Sequence, residues 1–177
     1  PTWTVPPTIL RQDILPKLRT DPDYLAERNM TVYAGWQSDS PIIDPTTIDW
    51  SSVSAKSFPY RIVQAPGPAN PLGRVKFMFP NKHHVYLHDS PERAQFEKAV
   101  RTFSSGCIRV EKPVELAAEL LDGVGDWDRG RIAGLMASGE RKRVRLPEPW
   151  PVHVTYTTVW RAADGRVQFR HDIYGRD

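Results

Sequence analysis

A chain of 177 residues that is 40% apolar and 25% charged has the make-up of one globular domain with a sizeable core, which excludes a disordered or low-complexity segment. Its formal net charge is +3, and the basic residues are scattered apart from Arg141-Lys142-Arg143 and Arg145, so the composition argues against a nucleic-acid partner. No apolar run approaches the about 20 residues that span a bilayer, no secretory leader is visible, and the single cysteine excludes an internal disulfide.

In chain order, residues 1–7 read as a short extended arm in which Trp3 and Val5 alternate and Pro6-Pro7 ends the run. Ile9 to Thr20 carries a weak helical face of Ile14, Leu15 and Leu18 despite Pro16. Asp21 and Pro22 then make a start signal for a helix through Tyr24 to Asn29, and Thr31-Val32-Tyr33 follows as a strand. From Gly35 to Pro68 the composition turns to Ser, Asp, Pro and Trp, with Ile42, Ile43, Ile48, Trp50 and Phe58 as isolated anchors; so long an aperiodic stretch suggests a binding loop or lid, and its aromatics argue against disorder.

Arg74 to Phe79 and Val85 to His88 are β-rich runs around a Pro80-Asn81-Lys82 turn, which predicts a hairpin whose period of two puts Tyr86 and His88 on one face. His83 and His84 are not read as metal ligands with His88, because neighbours on a strand face opposite ways and no zinc spacing is present. Ser90-Pro91 starts a helical turn, and Phe96, Ala99, Val100 and Phe103 recur at helical spacing as a core stripe. Pro113 to Leu121 is the clearest helix, with Val114, Ala117, Ala118 and Leu121 inward, and a second runs from Asp126 or Asp128 to Ala137 before Gly139. After the Pro147 to Pro151 break, Val152 to Trp160 alternates as a strand, and Asp164-Gly165 turns into a second strand from Val167 to Arg170; His153 and His171 are read as lying in these strands, with structural roles. Strands and helices without a βαβ rhythm indicate an α+β or mainly β domain.

The candidate chemistry centres on Ser104-Ser105-Gly106-Cys107-Ile108-Arg109, where two hydroxyl residues and a glycine lead into the only thiol. A histidine in reach converts a thiol of ordinary pKa, about 8.5, into the nucleophilic thiolate, and His88 lies nineteen positions upstream. A buried structural cysteine is the competing reading.

His88, a fifteen-residue spacer and Ser-Ser-Gly-Cys-Ile-Arg resemble the signature of the L,D-transpeptidases of YkuD type, with Ser105 where most of that family has a second histidine. The resemblance extends from Trp3-Thr4-Val5-Pro6-Pro7 through Gln64-Ala65-Pro66-Gly67 and Leu72-Gly73 to Asp172-Ile173-Tyr174, and is to the large lid-bearing Gram-negative subgroup. It implies one catalytic domain over residues 1–177, a β-sandwich with flanking helices, with residues 8–66 as a capping insertion and the first strands missing ahead of Trp3. Those strands would be absent from this piece or supplied by a second polypeptide. The start at Pro1 without methionine likewise suggests a piece of a longer precursor, which the resemblance would place in the periplasm.

The implied function is peptidoglycan 3-3 cross-linking through a cysteine thioester, with a tetrapeptide stem as donor and a diaminopimelate amine as acceptor, no metal or organic cofactor, and carbapenem sensitivity. Cys107 would be the nucleophile and His88 the base. The oxyanion would be met by Gly106 and Cys107 N–H groups and by Tyr86, and His88 would be oriented by the Asp89 carbonyl or its carboxylate. Arg109, with Ser105 beside it, would hold a substrate carboxylate, against a structural ion pair of Arg109 with Glu111 or Asp89. Cell-wall synthesis proteins are the expected macromolecular partners. An L,D-carboxypeptidase, a stem-to-protein ligase and a non-catalytic wall-binding module are the other readings.

Overall fold

The computed structural model describes residues 1–177, which form two compact units, Pro1–Pro147 and Glu148–Asp177. The first unit opens with strand β1 (Trp3–Thr4) and a run of helix made of α1 (Pro7–Ile9), a wide π-type turn (Leu10–Ile14) and α2 (Leu15–Leu18). Pro7 starts this helix as well as ending the arm, since the missing N–H is one the first turn would leave unpaired anyway. Pro16 is accommodated by the wide turn just before it, where Leu15 N–H reaches back five residues to the Leu10 carbonyl. Helix α3 (Tyr24–Glu27) begins later than Pro22; the Asp21 carboxylate instead accepts the Asp23 N–H at 3.2 Å in the turn ahead of it.

Strand β2 (Met30–Tyr33) pairs antiparallel with β3 (Ile42–Ile43) on one side and β4 (Arg61–Gln64) on the other, and β4 pairs with β1, in the order β1-β4-β2-β3. The expected loop from Gly35 to Pro68 is therefore corrected in two places. It supplies an edge strand, and in β4 it supplies an inner strand with Ile62 and Gln64 buried. The rest of the stretch is built from side-chain turns: Asp44 accepts the Thr46 N–H at 2.9 Å and Asp49 the Ser51 N–H at 3.0 Å. Trp50, Phe58 and Tyr60 pack ring against ring at 5.6 to 6.4 Å. Leu10, Ile14, Leu18, Tyr24, Leu25, Val32, Ile62 and Leu72 form the core under this sheet.

A second sheet holds β5 (Lys76–Phe77), β6 (Leu87–His88) and β7 (Ile108–Arg109), with β5 antiparallel and β7 parallel to the central β6. Helices α4 (Pro113–Leu120) and α5 (Arg129–Ser138) follow where the sequence places them; Asp128 caps α5 by accepting the Arg131 N–H at 2.7 Å, and Gly139 closes it in the left-handed conformation. Ala117, Leu121 and Ile132 form a second core against Phe77 and Trp127. The helical stripe expected over Phe96 to Phe103 is overturned: a short 3-10 turn covers Arg93–Glu97, the backbone extends at Lys98, and Val100 and Phe103 are exposed. With no buried face to pack against, helical spacing alone does not hold a helix there.

The second unit is a hairpin of β8 (Val159–Arg161) and β9 (Val167–Phe169) through the Asp164-Gly165 turn. The strand expected from Val152 is confined to its last residues, and His153 and His171 are exposed outside any strand. In class, the chain mixes helices and strands as the α+β reading expects, with short strands and substantial helices rather than a strand majority.

Candidate active site

A backbone turn ahead of β5 sets the position of the histidine. Asn70, with no exposed surface, donates to the Pro1 and Ala65 carbonyls at 3.0 Å and accepts the Leu72 N–H at 2.9 Å, fixing the turn through Leu72-Gly73. Gly73 has φ +58, and a Cβ there would lie 2.4 Å from Asp89 Oδ2, so glycine is required both for the backbone and for the close approach. The buried Asp89 carboxylate accepts the Arg74 and Ser90 N–H groups at 2.9 and 2.8 Å and meets Arg93 at 3.3 Å. Arg93 in turn donates to the Glu111 carbonyl, tying the ends of β6 and β7 together.

His88 is buried, and its Nδ1 lies 2.5 Å from the Asp89 carbonyl oxygen. A carbonyl can only accept, so Nδ1 carries the proton and Nε2 keeps its lone pair. Of the two expected ways to orient the ring, the carbonyl of Asp89 is the one present, while its carboxylate is engaged with backbone and Arg93. Burial lowers the His88 pKa, the Asp89 carbonyl opposes this, and the Arg109 charge lowers it further.

The parallel register Leu87 to Ile108 and His88 to Arg109, with Ile108 N–H on the Tyr86 carbonyl and Val110 N–H on the His88 carbonyl, draws the cysteine loop alongside the histidine strand. Cys107, one residue before Ile108, comes beside Tyr86, one residue before Leu87, and the alternation gives Cys107 and Arg109 the face of Tyr86 and His88. The Tyr86 and His88 rings meet edge to face at 5.9 Å. Burial, followed by the charge and hydrogen bond of the Cys107 sulfur, pushes the Tyr86 phenol up to about 12, so it stays a protonated donor beside the thiol. Cys107 is a free, partly exposed thiol.

Ser104 shapes the loop: its Oγ accepts the Gly106 N–H at 3.1 Å and donates to the Cys107 carbonyl at 2.5 Å. Gly106 adopts φ +138, with Val85 3.2 Å from where a Cβ would sit. The Gly106 N–H expected for an oxyanion is thus bonded to Ser104 in this conformation, and Ser105 is exposed without a hydrogen bond of its own. Arg109 pairs with neither Glu111 nor Asp89; one of its terminal nitrogens meets Gln95 Oε1, and its Nε is buried without a partner. His83 and His84 sit in the β5–β6 loop, which Asn81 holds by donating to the Phe79 and Val85 carbonyls at 3.0 and 2.7 Å.

Residue chemistry alone does not single out Gly73, Arg93, Gln95 or Ser104, nor Lys76, whose ammonium lies 5.4 Å from the centre of the Tyr86 ring. Leu72-Gly73 and Ser104 belong to the motifs that carry the resemblance; Lys76 depends on strand register, and Arg93 and Gln95 on where the 3-10 turn Arg93–Glu97 lies.

Residues 1–133 match the model of the YkuD family, described as the L,D-transpeptidase catalytic domain. Over all 177 residues the chain is 38% identical to a Haemophilus influenzae protein named "Putative L,D-transpeptidase", and it spans 35% of that protein's length. With a family model over most of its residues, a parallel strand pair that sets the thiol beside Tyr86 on the sheet face that also bears the oriented His88, and a relative of that name, this chain belongs to the YkuD family of L,D-transpeptidase catalytic domains.

Proposed function

We propose that this chain carries the active site of a peptidoglycan L,D-transpeptidase that forms 3-3 cross-links. The observation that supports it most is the Nδ1 bond of His88 to the Asp89 carbonyl, which leaves Nε2 as a base on the face that also bears Cys107. In this reading, the Cys107 thiol gives its proton to His88 and attacks the carbonyl of a tetrapeptide stem at its L-to-D bond. The tetrahedral oxyanion is met by the Tyr86 hydroxyl and the Cys107 N–H, because Gly106 N–H is bonded to Ser104. Its collapse breaks the C–N bond, His88 returns the proton to the departing D-alanine amine, and a thioester remains. A diaminopimelate side-chain amine of a second stem then attacks the thioester, losing its proton to His88 as the thiolate leaves. Arg109, with a buried Nε that has no protein partner, holds the donor's carboxylate, and Ser105 lines the entrance.

Residues 8–66 cap the substrate, and the setting is the periplasm among cell-wall synthesis proteins. Purified disaccharide-tetrapeptides incubated with the full-length protein test the reading by mass analysis. Cross-linked dimers from wild type and none from Cys107→Ser are expected, together with a carbapenem adduct on wild type alone. Tripeptide without dimer makes the protein an L,D-carboxypeptidase, stems attached to protein amines make it a ligase, and a folded wild type without adduct or product leaves only a wall-binding module.

A further inference from the structure

Strands β6 and β7 are two residues each, so the parallel ladder supplies few bonds to hold the histidine strand against the cysteine strand. Two of them are Ile108 N–H to the Tyr86 carbonyl at 3.0 Å and Val110 N–H to the His88 carbonyl at 2.8 Å. Arg93 adds a link that the ladder does not. It opens the 3-10 turn Arg93–Glu97 in the chain between His88 and Cys107. One of its terminal nitrogens lies 3.3 Å from Asp89 Oδ1 and the other donates to the Glu111 carbonyl, so a single guanidinium grips the chain just past β6 and just past β7. Its planar fork suits two acceptors at once, and it lies over the Phe96 ring, 5.3 Å from the centre, which favours that direction. Asp89 carries the effect to the base. Its carbonyl lies 2.5 Å from His88 Nδ1, while its carboxylate accepts the Arg74 and Ser90 N–H groups and has Arg93 as its one cationic partner. The carboxylate is buried and Arg93 half-exposed, so loss of the guanidinium leaves a buried charge without its counter-ion and favours a shift of Asp89 toward water. The carbonyl belongs to the same residue and moves with it.

We propose that Arg93 is a positioning residue for His88: it fixes Asp89 so that the carbonyl meets Nδ1, and it fixes the end of β7 against β6 so that the cysteine strand stays in register with the histidine strand. Arg93 itself touches no reacting atom. The proposal rests on the reading of His88 as the base of a transpeptidase, and it names what holds that base in place.

The test uses the full-length protein and two readouts, turnover and the ring proton of His88. In wild type the Nδ1–H is expected in proton NMR spectra as a ring N–H protected from exchange with water; His83, His84, His153 and His171 are exposed, and His88→Gln should remove the signal and so assign it. Arg93→Met should lose that protection in a protein that still unfolds cooperatively, and should lower kcat about 100-fold, the scale of a misplacement of about 1 Å at the reacting groups, with KM nearly unchanged. Arg93→Lys keeps the charge without the planar fork and should fall between the two on both readouts. A role of Arg93 in stability alone predicts a lower unfolding midpoint with the ring signal and the kcat of the folded protein unchanged, and that result overturns the proposal. So does an Arg93→Lys protein indistinguishable from wild type, which is the deciding comparison if Arg93→Met does not fold. The ring signal needs no substrate: should wild type form no acyl-enzyme, the transpeptidase reading fails, and loss or retention of the protected proton in the Arg93 variants still decides whether Arg93 holds His88.

Discussion

At the level of single residues, the site depends on a histidine kept neutral and a glycine that nothing else can replace. Because burial and Arg109 lower the His88 pKa, the proton that would switch the base off binds only below the ordinary histidine value of about 6.5. The acid limb of kcat/KM is therefore expected below pH 6.5, and replacing Arg109 by Met should move it upward; a limb at or above 6.5 in wild type contradicts this. The same lowering has a sign for stability. The unfolded chain binds the His88 proton more readily than the folded one, so stability falls as pH drops below about 6.5 and stops falling below the folded pKa, a trend that His88→Gln should remove from unfolding titrations. Gly73→Ala forces a Cβ to within 2.4 Å of Asp89 Oδ2 at a positive φ, with an expected cost of about 2 kcal/mol or more in denaturant unfolding and a loss of turnover as Asp89 shifts beneath His88.

Elements show where local pattern and tertiary context part company. Strand β4 lies in a stretch without visible periodicity, yet it sits between β1 and β2 and buries Ile62 and Gln64. The alternation of Arg61, Ile62, Val63 and Gln64 spans only four residues, too few to stand out in a tract dominated by turn formers. Ile62→Ala should accordingly destabilise the first unit by about 2–5 kcal/mol, measured by chemical denaturation; a change below about 1 kcal/mol would show that β4 is not a core strand. The converse holds for Phe96 to Phe103, where helical spacing is present but Val100 and Phe103 are exposed. Helices α4 and α5 were legible because their signals are local: Pro113 in the first turn, the Asp128 cap and Gly139 at the end.

Taken whole, the molecule distributes its packing unevenly. The sheet β1-β4-β2-β3 covers a continuous core, whereas the β8–β9 hairpin leaves Val159, Trp160, Val167 and Phe169 exposed. A lone two-stranded hairpin is marginal in water, so amides of Val159–Arg161 and Val167–Phe169 should exchange with solvent well ahead of those of β2 and β4; equal protection would mean that this apolar surface is covered in solution. From the sequence alone came the helices with local caps, the β5–β6 hairpin, the choice of one thiol and one histidine as candidates, and the family to which the chain belongs, because each is written in adjacent residues or in a short spaced motif. Tertiary structure alone decided that β7 runs parallel to β6, that the Asp89 carbonyl and not its carboxylate holds the imidazole, that Ser104 takes the Gly106 N–H, and that Lys76 joins the row of His88 and Arg109. These follow from strand register and from which buried donor meets which acceptor, relations between residues distant along the chain that no local pattern encodes.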